Sequence, residues 1–344
     1  MNPSRPAPTT ASPTMRDVAD HANVSPMTVS RALRDDPGVS PGNRARILHA
    51  VAALGYRRNE SARNLRLGRS TGLIGVVITN LANPFYTQLA LGIESYVGEK
   101  GLRVVVANSG EDIDRERQLV NDFASRRLDG LIAVPTSNHH QHLDPANLAH
   151  MPVVLAASPP HRITVDSVML DDFGGTWEAT RTLIDRGHHR IGFLGLPAST
   201  WTGSERFRGY CAALEEAGIT LQDRYIRRNQ PDVAAATHAT HTILDQPHPP
   251  TALFTANNRN TIGAYRAIRD RNATTAIAGF DDFEFADLLQ LPLTVVSYDA
   301  RQLGREAARL LCEQLDNPTI VGRRLVIPTS VIEYGQRSDW TGRP

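Results

Sequence analysis

The stretch from Thr14 to Leu33, TMRDVADHANVSPMTVSRAL, decides how the first part of the chain folds. Thr14 and Ser25 each precede an apolar pattern of helical period, and Pro26 opens the second pattern. Serine and threonine are favoured N-cap residues, and proline is favoured at the first helical position. The residues from Asn23 to Ser25 leave room only for a tight turn. The stretch therefore predicts two short helices that cross at a steep angle.

A third helix is predicted over PGNRARILHAVAALG, because Ser40 with Pro41 behind it repeats the capping pattern.

The N-terminal part of the chain also has a distinctive charge. Residues 1–70 contain 11 Arg and 5 Asp or Glu, a net charge of +6, which leaves −5 for the rest of a chain whose total is +1. The positive field therefore belongs to the N-terminal end and favours a nucleic-acid partner there. The alternative is a three-helix packing module with ordinary surface arginines.

In a helix-turn-helix unit, the N-terminal side chains of the second helix point toward base edges in the major groove of DNA. Arg31 can form two hydrogen bonds to a guanine, and Pro26 and Met27 can contact a thymine methyl group. Hydroxyl groups suited to phosphate contacts are offered by Ser25, Thr28 and Ser30.

From residue 71 the pattern changes to short β-branched runs that alternate with helical stretches. The seven runs are LIGVVIT (73–79), LRVVVAN (102–108), GLIAVP (130–135), PVVLAA (152–157), RIGFLG (190–195), TALFTA (251–256) and TAIAGF (275–280). Near-continuous apolar strands separated by helices indicate parallel sheets covered on both faces. Seven runs exceed one comfortable sheet, so we expect an α/β core of two doubly wound lobes. Candidate crossovers between the lobes lie near 157–163, 290–300 and 320–328.

The composition bounds the class of protein. With 344 residues, 41% hydrophobic and 21% charged, the chain has the makeup of a globular protein with more than one domain. Cys211 and Cys312 lie far apart without metal-ligand spacing, so no zinc or disulfide framework is expected. Residues 1–13 are predicted to form a flexible tail. No signal peptide and no apolar run of about 20 residues is present, so we expect a cytoplasmic protein without a membrane partner.

The stretch from Thr14, continued by VSPGNRARILHAVAALGYRRNESARNLRLGRS, resembles the N-terminal signature of the lactose/galactose repressor family of bacterial regulators. The resemblance continues through NPFYTQLALGIE, LDGLIAVP, GHHRIGFLG, IAGFDD and LTVVSYDARQLGREA, and covers about residues 14–335. It implies a helix-turn-helix headpiece over 14–57, in which Thr14 belongs to the DNA-binding residues, and a hinge or linker over 58–70. It also implies a core over 71–340, similar to periplasmic sugar-binding proteins, that binds effector and dimerises.

The segment NESARNLRLGR (59–69) matches the family's hinge helix, which orders on operator DNA and inserts a leucine into the minor groove. By position this leucine is Leu65, and a wedge of this kind bends the duplex by unstacking a base step. The other matching DNA-binding positions are Asn59, Ala62 and Arg63. Arg58 stands where the family often has proline, which predicts a less rigid entry to the hinge. The alternative is a basic linker whose leucine packs on the core.

The resemblance also implies an effector site between the lobes. Phe85 and Tyr86 match ligand contacts of the first lobe, and Arg206 matches an effector-binding arginine of the second. The other effector-binding candidates are Trp201, Thr202, Asn257 and Asp281. Aspartate accepts sugar hydroxyls, asparagine donates and accepts, arginine presents a fixed donor fork, and an aromatic ring covers the apolar sugar face. As alternatives, Asp281 can cap a following helix, and Phe85 and Tyr86 can belong to the core.

Two departures from the family pattern bear on the effector. Where the family commonly reads Asn-Asp and then apolar residues, this chain has Asn257, Asn258, Arg259 and Asn260. Some sugar-binding members carry an acid after the strand PVVL, where this chain has Ala156 and Ala157. A negative charge is lost and polarity is gained, which predicts a ligand with negative charge or with fewer hydroxyls than a simple hexose. Asp171 and Asp172 match an acidic position near the cleft, although capping a helix over 172–187 explains them equally.

Several histidine groups in the sequence do not have the pattern of a metal site. His139, His140 and His142 have no carboxylate or cysteine neighbour at ligand spacing in the sequence, and His188 and His189 precede a strand. Both groups are predicted to lie in solvated loops, with no metal site. No GxSxG, HExxH, Walker or GxGxxG pattern occurs, so no catalytic residue and no cofactor is predicted.

These observations predict a sequence-specific DNA-binding transcription regulator, and more specifically a repressor controlled by a small sugar-like effector. A homodimer on a palindromic double-stranded operator is expected, because two-fold protein symmetry matches two-fold DNA symmetry. One alternative is a solute-binding protein of a transport system, against which residues 14–70 argue. The other is a sugar-converting enzyme, which would need a general acid and base; Asp281 and Asp171 are available, but no nucleophile is identifiable.

Overall fold

The computed structural model describes residues 13–56, 70–289 and 291–335, and the chain divides into two compact units between Thr71 and Gly72. The first unit contains helices α1 (Met15–His21), α2 (Pro26–Ala32) and α3 (Pro41–Leu54). Thr14, Ser25 and Ser40 are their N-caps, as predicted. The helices share a small core of fully buried side chains that includes Val18, Val29 and Ile47.

Local hydrogen bonds explain where the first two helices begin. The Thr14 hydroxyl accepts from the Asp17 backbone N–H, and the Asp17 carboxylate accepts from the Thr14 backbone N–H at 2.7 Å, which completes a capping box. The Ser25 hydroxyl accepts from the Thr28 backbone N–H at 3.2 Å. Asn23 takes a left-handed backbone conformation with φ of 51°, which helps to turn the chain between α1 and α2 within four residues. The predicted helix-turn-helix unit is confirmed.

The second unit holds twelve strands and seven α-helices within its described residues. The strands are β1 (Leu73–Ile78), β2 (Arg103–Asn108), β3 (Gly130–Ala133), β4 (Val153–Ala156), β5 (Asp166–Leu170), β6 (Ile191–Leu194), β7 (Ile226–Arg227), β8 (Ala252–Thr255), β9 (Ala276–Phe280), β10 (Leu293–Ser297), β11 (Arg324–Ile327) and β12 (Ser330–Tyr334). The helices are α4 (Pro84–Glu99), α5 (Ile113–Ser125), α6 (Asp172–Asp185), α7 (Trp201–Glu216), α8 (Val233–Leu244), α9 (Asn258–Asp270) and α10 (Ala300–Asp316).

The strands form two six-stranded sheets, one in each lobe. The order in the first lobe is β11-β5-β4-β3-β1-β2, and every neighbouring pair is parallel. The order in the second lobe is β12-β10-β9-β8-β6-β7, in which only β12 runs antiparallel to its neighbour. The inner strands β3, β4, β6, β8 and β9 are buried along their whole length, as their continuous apolar runs require. The predicted fold class, a helical headpiece and two doubly wound lobes, is confirmed.

The chain passes three times between the lobes. It crosses from β5 to α6 at Asp171, from β10 to α10 over 298–299, and from β11 to β12 over 328–329. The predicted crossover near 157–163 is therefore wrong, because that segment joins β4 to β5 within the first sheet. The strand β5 begins with the polar pair Asp166-Ser167, so its sequence lacks the apolar signal of its neighbours.

Helix α10 returns to the first lobe and packs closely on α4. A side chain at Gly92 would lie 2.1 Å from the Arg301 carbonyl oxygen, and one at Gly304 would lie 2.2 Å from the Leu89 carbonyl oxygen. Glycine at both positions lets the two backbones approach this closely. Among the described residues, no helix is long and apolar enough to cross a membrane.

Candidate functional site

The carboxyl ends of the parallel strands of both lobes open into one cleft with a volume of about 260 Å³. This is where ligands bind in open α/β sheets. From the first lobe, the residues that follow strands and line the cleft are Thr79, Asn80, Glu111, Val134, Pro135, Thr136, Ala157 and Ser158. From the second lobe they are Leu196, Pro197, Asn229, Asn257, Asp281 and Tyr298.

All seven side chains predicted for the effector site line this cleft. Phe85 and Tyr86 lie in the first turn of α4, whereas Trp201, Thr202 and Arg206 lie in the first two turns of α7. The structure thus brings together residues from both lobes that are more than a hundred positions apart in the sequence.

Arg206 is the most highly connected side chain of the cleft. Its Nε donates to Asp172 Oδ1 at 2.8 Å, and its Nη1 donates to the Ala256 carbonyl at 2.6 Å and to Asp281 Oδ1 at 3.3 Å. The guanidinium carbon lies 3.6 Å from the ring centroid of Phe280, a cation–π contact. Burial by itself lowers the pKa of Arg206, but Asp281 and Asp172 outweigh burial and raise it above its ordinary value. Arg206 is therefore a permanently charged, fixed donor.

Asp281 holds the complementary acceptor. It is 6% exposed, has a left-handed φ of 70°, and accepts a hydrogen bond from the Tyr298 hydroxyl at 2.6 Å. It caps no described helix. The bonds within the described residues use Nε and Nη1 of Arg206 and Oδ1 of Asp281. Arg206 Nη2 and Asp281 Oδ2 make none of these bonds, and both side chains line the cleft, so each residue keeps one polar group that can donate to or accept from a ligand.

Asp172 lies behind this pair and is fully buried against Arg206. Burial raises the pKa of Asp172 to about 6, because the attraction of Arg206 only partly offsets the loss of hydration. Its second oxygen has no hydrogen-bond partner among the described residues. The neighbouring Asp171 instead caps α6 by accepting from the Gly174 backbone N–H. Of the two acids, only Asp172 belongs to the arginine network.

Aromatic rings form the apolar wall of the cleft. Phe85 packs edge-on against Tyr86 and Tyr298, with centroids 5.0 and 6.0 Å apart. Burial raises the pKa of Tyr86 to about 12, and its hydroxyl accepts a hydrogen bond from Thr79. Phe85 and Tyr86 also pack against the main core cluster, so they are both cleft and core residues.

Within the part of the chain that the structure describes, two hydrogen bonds join the lobes at the cleft. Asn258 Nδ2 donates to Asn83 Oδ1 at 3.1 Å, and the Asn138 backbone N–H donates to the Ser199 carbonyl at 3.1 Å. Asn257 caps α9 by accepting from the Asn260 backbone N–H at 2.8 Å and also lines the cleft. The Asn-Asn pair that departs from the family pattern thus serves as a helix cap and a link between the lobes.

The histidine loop differs from its prediction. His140 is only 1% exposed, its Nε2 lies 2.8 Å from the Ser137 carbonyl, and its Nδ1 accepts from the His161 backbone N–H. His142 contacts the fully buried carboxylate of Glu116 at 2.7 Å. The prediction of a solvated loop is wrong for His140, which is buried, and for His142, whose side chain is 11% exposed and contacts a residue that α5 supplies from an earlier part of the sequence. No group of three metal-ligating side chains occurs among the described residues.

Sequence reasoning missed Tyr298, Thr136 and Asn229 as residues of the cleft. Each directly or closely follows a strand, which is the signal that identifies them once strands are assigned. Asn229 follows β7 and Tyr298 follows β10, and neither strand was among the predicted runs.

The predicted DNA-contacting side chains of α2 lie mostly on its surface. Pro26 and Met27 are exposed, Met27 by 67%, and Ser25 and Thr28 share a hydrogen bond between their hydroxyls. Arg31 is exposed and pairs with Asp36 at 2.9 Å. Hydrogen bonds from Arg31 and the Gly38 backbone N–H lower the pKa of Asp36 to about 2, so the pair stays charged at neutral pH.

The remaining predicted DNA-binding residues are not all exposed, and some of them lie outside the described residues. Ser30 is partly buried within α2, and Thr14 is exposed at the start of α1, where its hydroxyl serves the capping box. The predicted hinge residues lie outside the described residues, and they are Asn59, Ala62, Arg63 and Leu65.

Comparison with known families agrees with both units. Residues 14–59 match the model of bacterial regulatory proteins of the lacI family, and residues 71–337 match the model of periplasmic binding proteins and the sugar binding domain of the LacI family. The chain belongs to the LacI family. The recognised resemblance to lactose/galactose repressors is thereby confirmed.

Two relatives match nearly the whole length of this LacI-family protein. The catabolite control protein A of Priestia megaterium is 30% identical over 328 residues, which covers 94% of this chain and 98% of the relative. The ribose operon repressor of Escherichia coli (strain K12) is 31% identical over 327 residues, which covers 94% and 99%. These relatives are transcriptional regulators.

Solved structures show the same arrangement of elements. The lac repressor dimer bound to operator and the anti-inducer ONPF is 26% identical with a TM-score of 0.77, covering 94% of this chain and 98% of that one. The complex of the transcriptional regulator CelR with cellobiose is 28% identical with a TM-score of 0.71, covering 94% and 100%.

Proposed function

We propose that this LacI-family protein is a transcriptional repressor whose affinity for operator DNA is set by a small sugar-like effector bound in the cleft between the lobes. The observation that carries the proposal is the pairing of Arg206 with Asp281 at the bottom of an aromatic-walled cleft. A fixed donor beside a fixed acceptor, under aromatic rings, suits a ligand with neighbouring hydroxyl groups and an apolar face.

The relatives support a sugar effector. One similar regulator is described in complex with cellobiose, and another is a ribose operon repressor. In this chain the seven residues proposed to bind effector are Phe85, Tyr86, Trp201, Thr202, Arg206, Asn257 and Asp281. The volume of about 260 Å³ lies just below the usual range for small-molecule pockets, about 300–1,000 Å³, and suits a compact ligand such as a monosaccharide derivative.

The DNA-binding half of the proposal rests on the headpiece. We propose that α2 enters the major groove, with Arg31 reading a base and the exposed Pro26 and Met27 contacting a thymine methyl group. We further propose that Thr14, Ser25, Thr28 and Ser30 contact the DNA backbone, and that Asn59, Ala62, Arg63 and Leu65 act at the hinge. A homodimer on a palindromic operator in the cytoplasm completes the proposal, since the similar lac repressor is described as a dimer on operator.

A second candidate function, conversion of a sugar by the cleft, has less support. The cleft carboxylate Asp281 is already engaged by Arg206 and Tyr298, and no nucleophile is held beside it in the described cleft. A free general acid and base flanking the ligand would be required.

The proposal is tested by selecting binding sites for the full chain from random double-stranded DNA. We expect a palindromic consensus site, and we expect Arg31→Ala to lose about 1–3 kcal/mol at one base pair of each half-site and to relax specificity there. Arg46→Ala is the matched control, because Arg46 is an exposed arginine on α3 that bonds to Asn43 within its own helix. Failure to enrich any site would contradict the proposal, and an equal loss on all sequences would make Arg31 a phosphate contact.

A further inference from the structure

One arginine of the cleft differs from Arg206 in having no partner of opposite charge. Arg259 lies in the first turn of α9, is partly buried and lines the cleft wall of the second lobe. No carboxylate of the described residues lies within 4.0 Å of its guanidinium, whereas Arg206 is flanked by Asp172 and Asp281. Partial removal of a cation from water is costly unless something pairs with it.

The charges around Arg259 leave a ligand as the group that can pair with its guanidinium. The other charged side chain of the cleft without an ion pair among the described residues is Glu111, which is exposed on the opposite lobe and accepts from Asn80 Nδ2. The wall that follows β4 contributes the uncharged Ala157 and Ser158. On the second lobe, the position next to the α9 cap is the uncharged Asn258, which bonds to Asn83.

We propose that the effector carries an anionic group, a carboxylate or a phosphate, in addition to its hydroxyl groups, and that Arg259 binds this group. The hydroxyl groups are held by Arg206 and Asp281 at the bottom of the cleft, and the anionic group lies toward the start of α9. Arginine suits this role because its planar fork gives two parallel, charge-assisted hydrogen bonds to a carboxylate or phosphate. The inference rests on the proposed function and names the chemical class of its effector.

The test compares neutral sugars with anionic derivatives of the same sugars. Isothermal titration calorimetry on the full chain uses D-glucose, D-glucuronate and D-glucose 6-phosphate, D-ribose and D-ribose 5-phosphate, and D-galactose, D-galacturonate and D-galactose 6-phosphate. We expect the best anionic ligand to bind at least about tenfold more tightly than its neutral parent, as a charge-assisted bidentate pair provides. The uronate and phosphate members show which anionic group is preferred.

Two variants assign the preference to one side chain. Arg259→Gln is expected to reduce the ratio of anionic to neutral affinity to about one while the affinity for the neutral parent stays within about twofold. Arg266→Gln is the matched control, since Arg266 is an exposed arginine two turns further along the same helix and does not line the cleft. It is expected to leave both affinities unchanged.

The outcomes separate this inference from the proposed function. Neutral parents that bind as tightly as their anionic derivatives, or an anionic preference that survives Arg259→Gln, overturn the anionic effector but leave a sugar-responsive regulator intact. Absence of binding by every member of the panel contradicts both the inference and the proposed function.

Discussion

The burial of individual charged residues decides which groups of the cleft can meet a ligand. Asp172 and Asp281 both face Arg206, but they differ in what they offer a ligand, because Asp172 is sealed behind the guanidinium and Asp281 opens to the cleft. Sequence reasoning identified Arg206 and Asp281 by resemblance, whereas it left Asp172 equally explained as a helix cap. Only packing reveals which of two adjacent acids is buried against an arginine.

The raised pKa of Asp172 predicts the sign of a pH effect on stability. Because its folded-state pKa of about 6 lies above the unfolded value near 3.9, the folded protein binds the proton more tightly. The contribution of this group to the free energy of unfolding is therefore fully present below about pH 4 and decreases as the pH rises through 6. Asp172→Asn, which cannot ionise, removes this dependence.

The measurement is urea unfolding of the wild type and Asp172→Asn at pH 4.5, 6 and 7.5. The free energy of the wild type minus that of the variant should decrease by about 2 kcal/mol over this range, since part of the effect of a shift of roughly two pKa units falls below pH 4.5. Asp171→Asn is the control for loss of an acid at the neighbouring cap. A difference that increases with pH would mean that the attraction of Arg206 outweighs burial.

Among the elements of the first lobe, helix α5 holds the cleft loop over 134–140 in place through the buried carboxylate of Glu116. Glu116 on α5 accepts from the Thr136 backbone N–H at 2.7 Å and contacts His142 at 2.7 Å. The same loop lines the cleft through Thr136 and reaches the second lobe through Asn138. Glu116 therefore acts as a positioning residue for the cleft without touching the ligand site itself.

Replacing Glu116 by glutamine tests this positioning role. A glutamine side chain keeps one acceptor oxygen for the Thr136 N–H but replaces the oxygen that faces His142 Nε2 by an amide donor. The imidazole must then change its tautomer to accept from the amide or lose this bond, so Glu116→Gln is expected to cost about 1–3 kcal/mol of stability. Affinity for the best ligand of the sugar panel should fall as well. Asp114→Asn, an exposed change on α5, is the control. Unchanged ligand affinity in a destabilised Glu116→Gln protein would make the residue purely structural.

Elements with a simple local signal could be predicted, and elements without one could not. The caps at Thr14, Ser25 and Ser40 and the seven apolar strand runs were visible because their signals lie within a few residues. The strand β5 starts with Asp166, which is buried only because Arg323 pairs with it from a segment more than 150 residues later. A polar strand start of this kind has no local signal, which is why the first crossover was misplaced.

At the scale of the whole molecule, the two-lobed core offers a mechanism for control. Among residues 70–289 and 291–335, two hydrogen bonds join the walls of the cleft directly, Asn258 with Asn83 and Asn138 with Ser199. A ligand that contacts both lobes stabilises one arrangement of the lobes over another, and it can shift the equilibrium only by its difference in affinity for the two. The two-lobe organisation followed from the number of strand runs and the effector site between the lobes from the family resemblance, but the volume and full lining of the cleft required the structure.

If a ligand in this cleft controls operator binding, operator affinity must differ between the ligand-free and the ligand-bound protein. Fluorescence anisotropy on the selected operator would be recorded for the wild type and Asp281→Asn, each with and without the best ligand of the sugar panel. We expect the ligand to change wild-type operator affinity by about 5–150-fold, and Asp281→Asn to keep the ligand-free affinity but lose the change. A full ligand response in Asp281→Asn, or none in the wild type, would show that this cleft does not control operator binding.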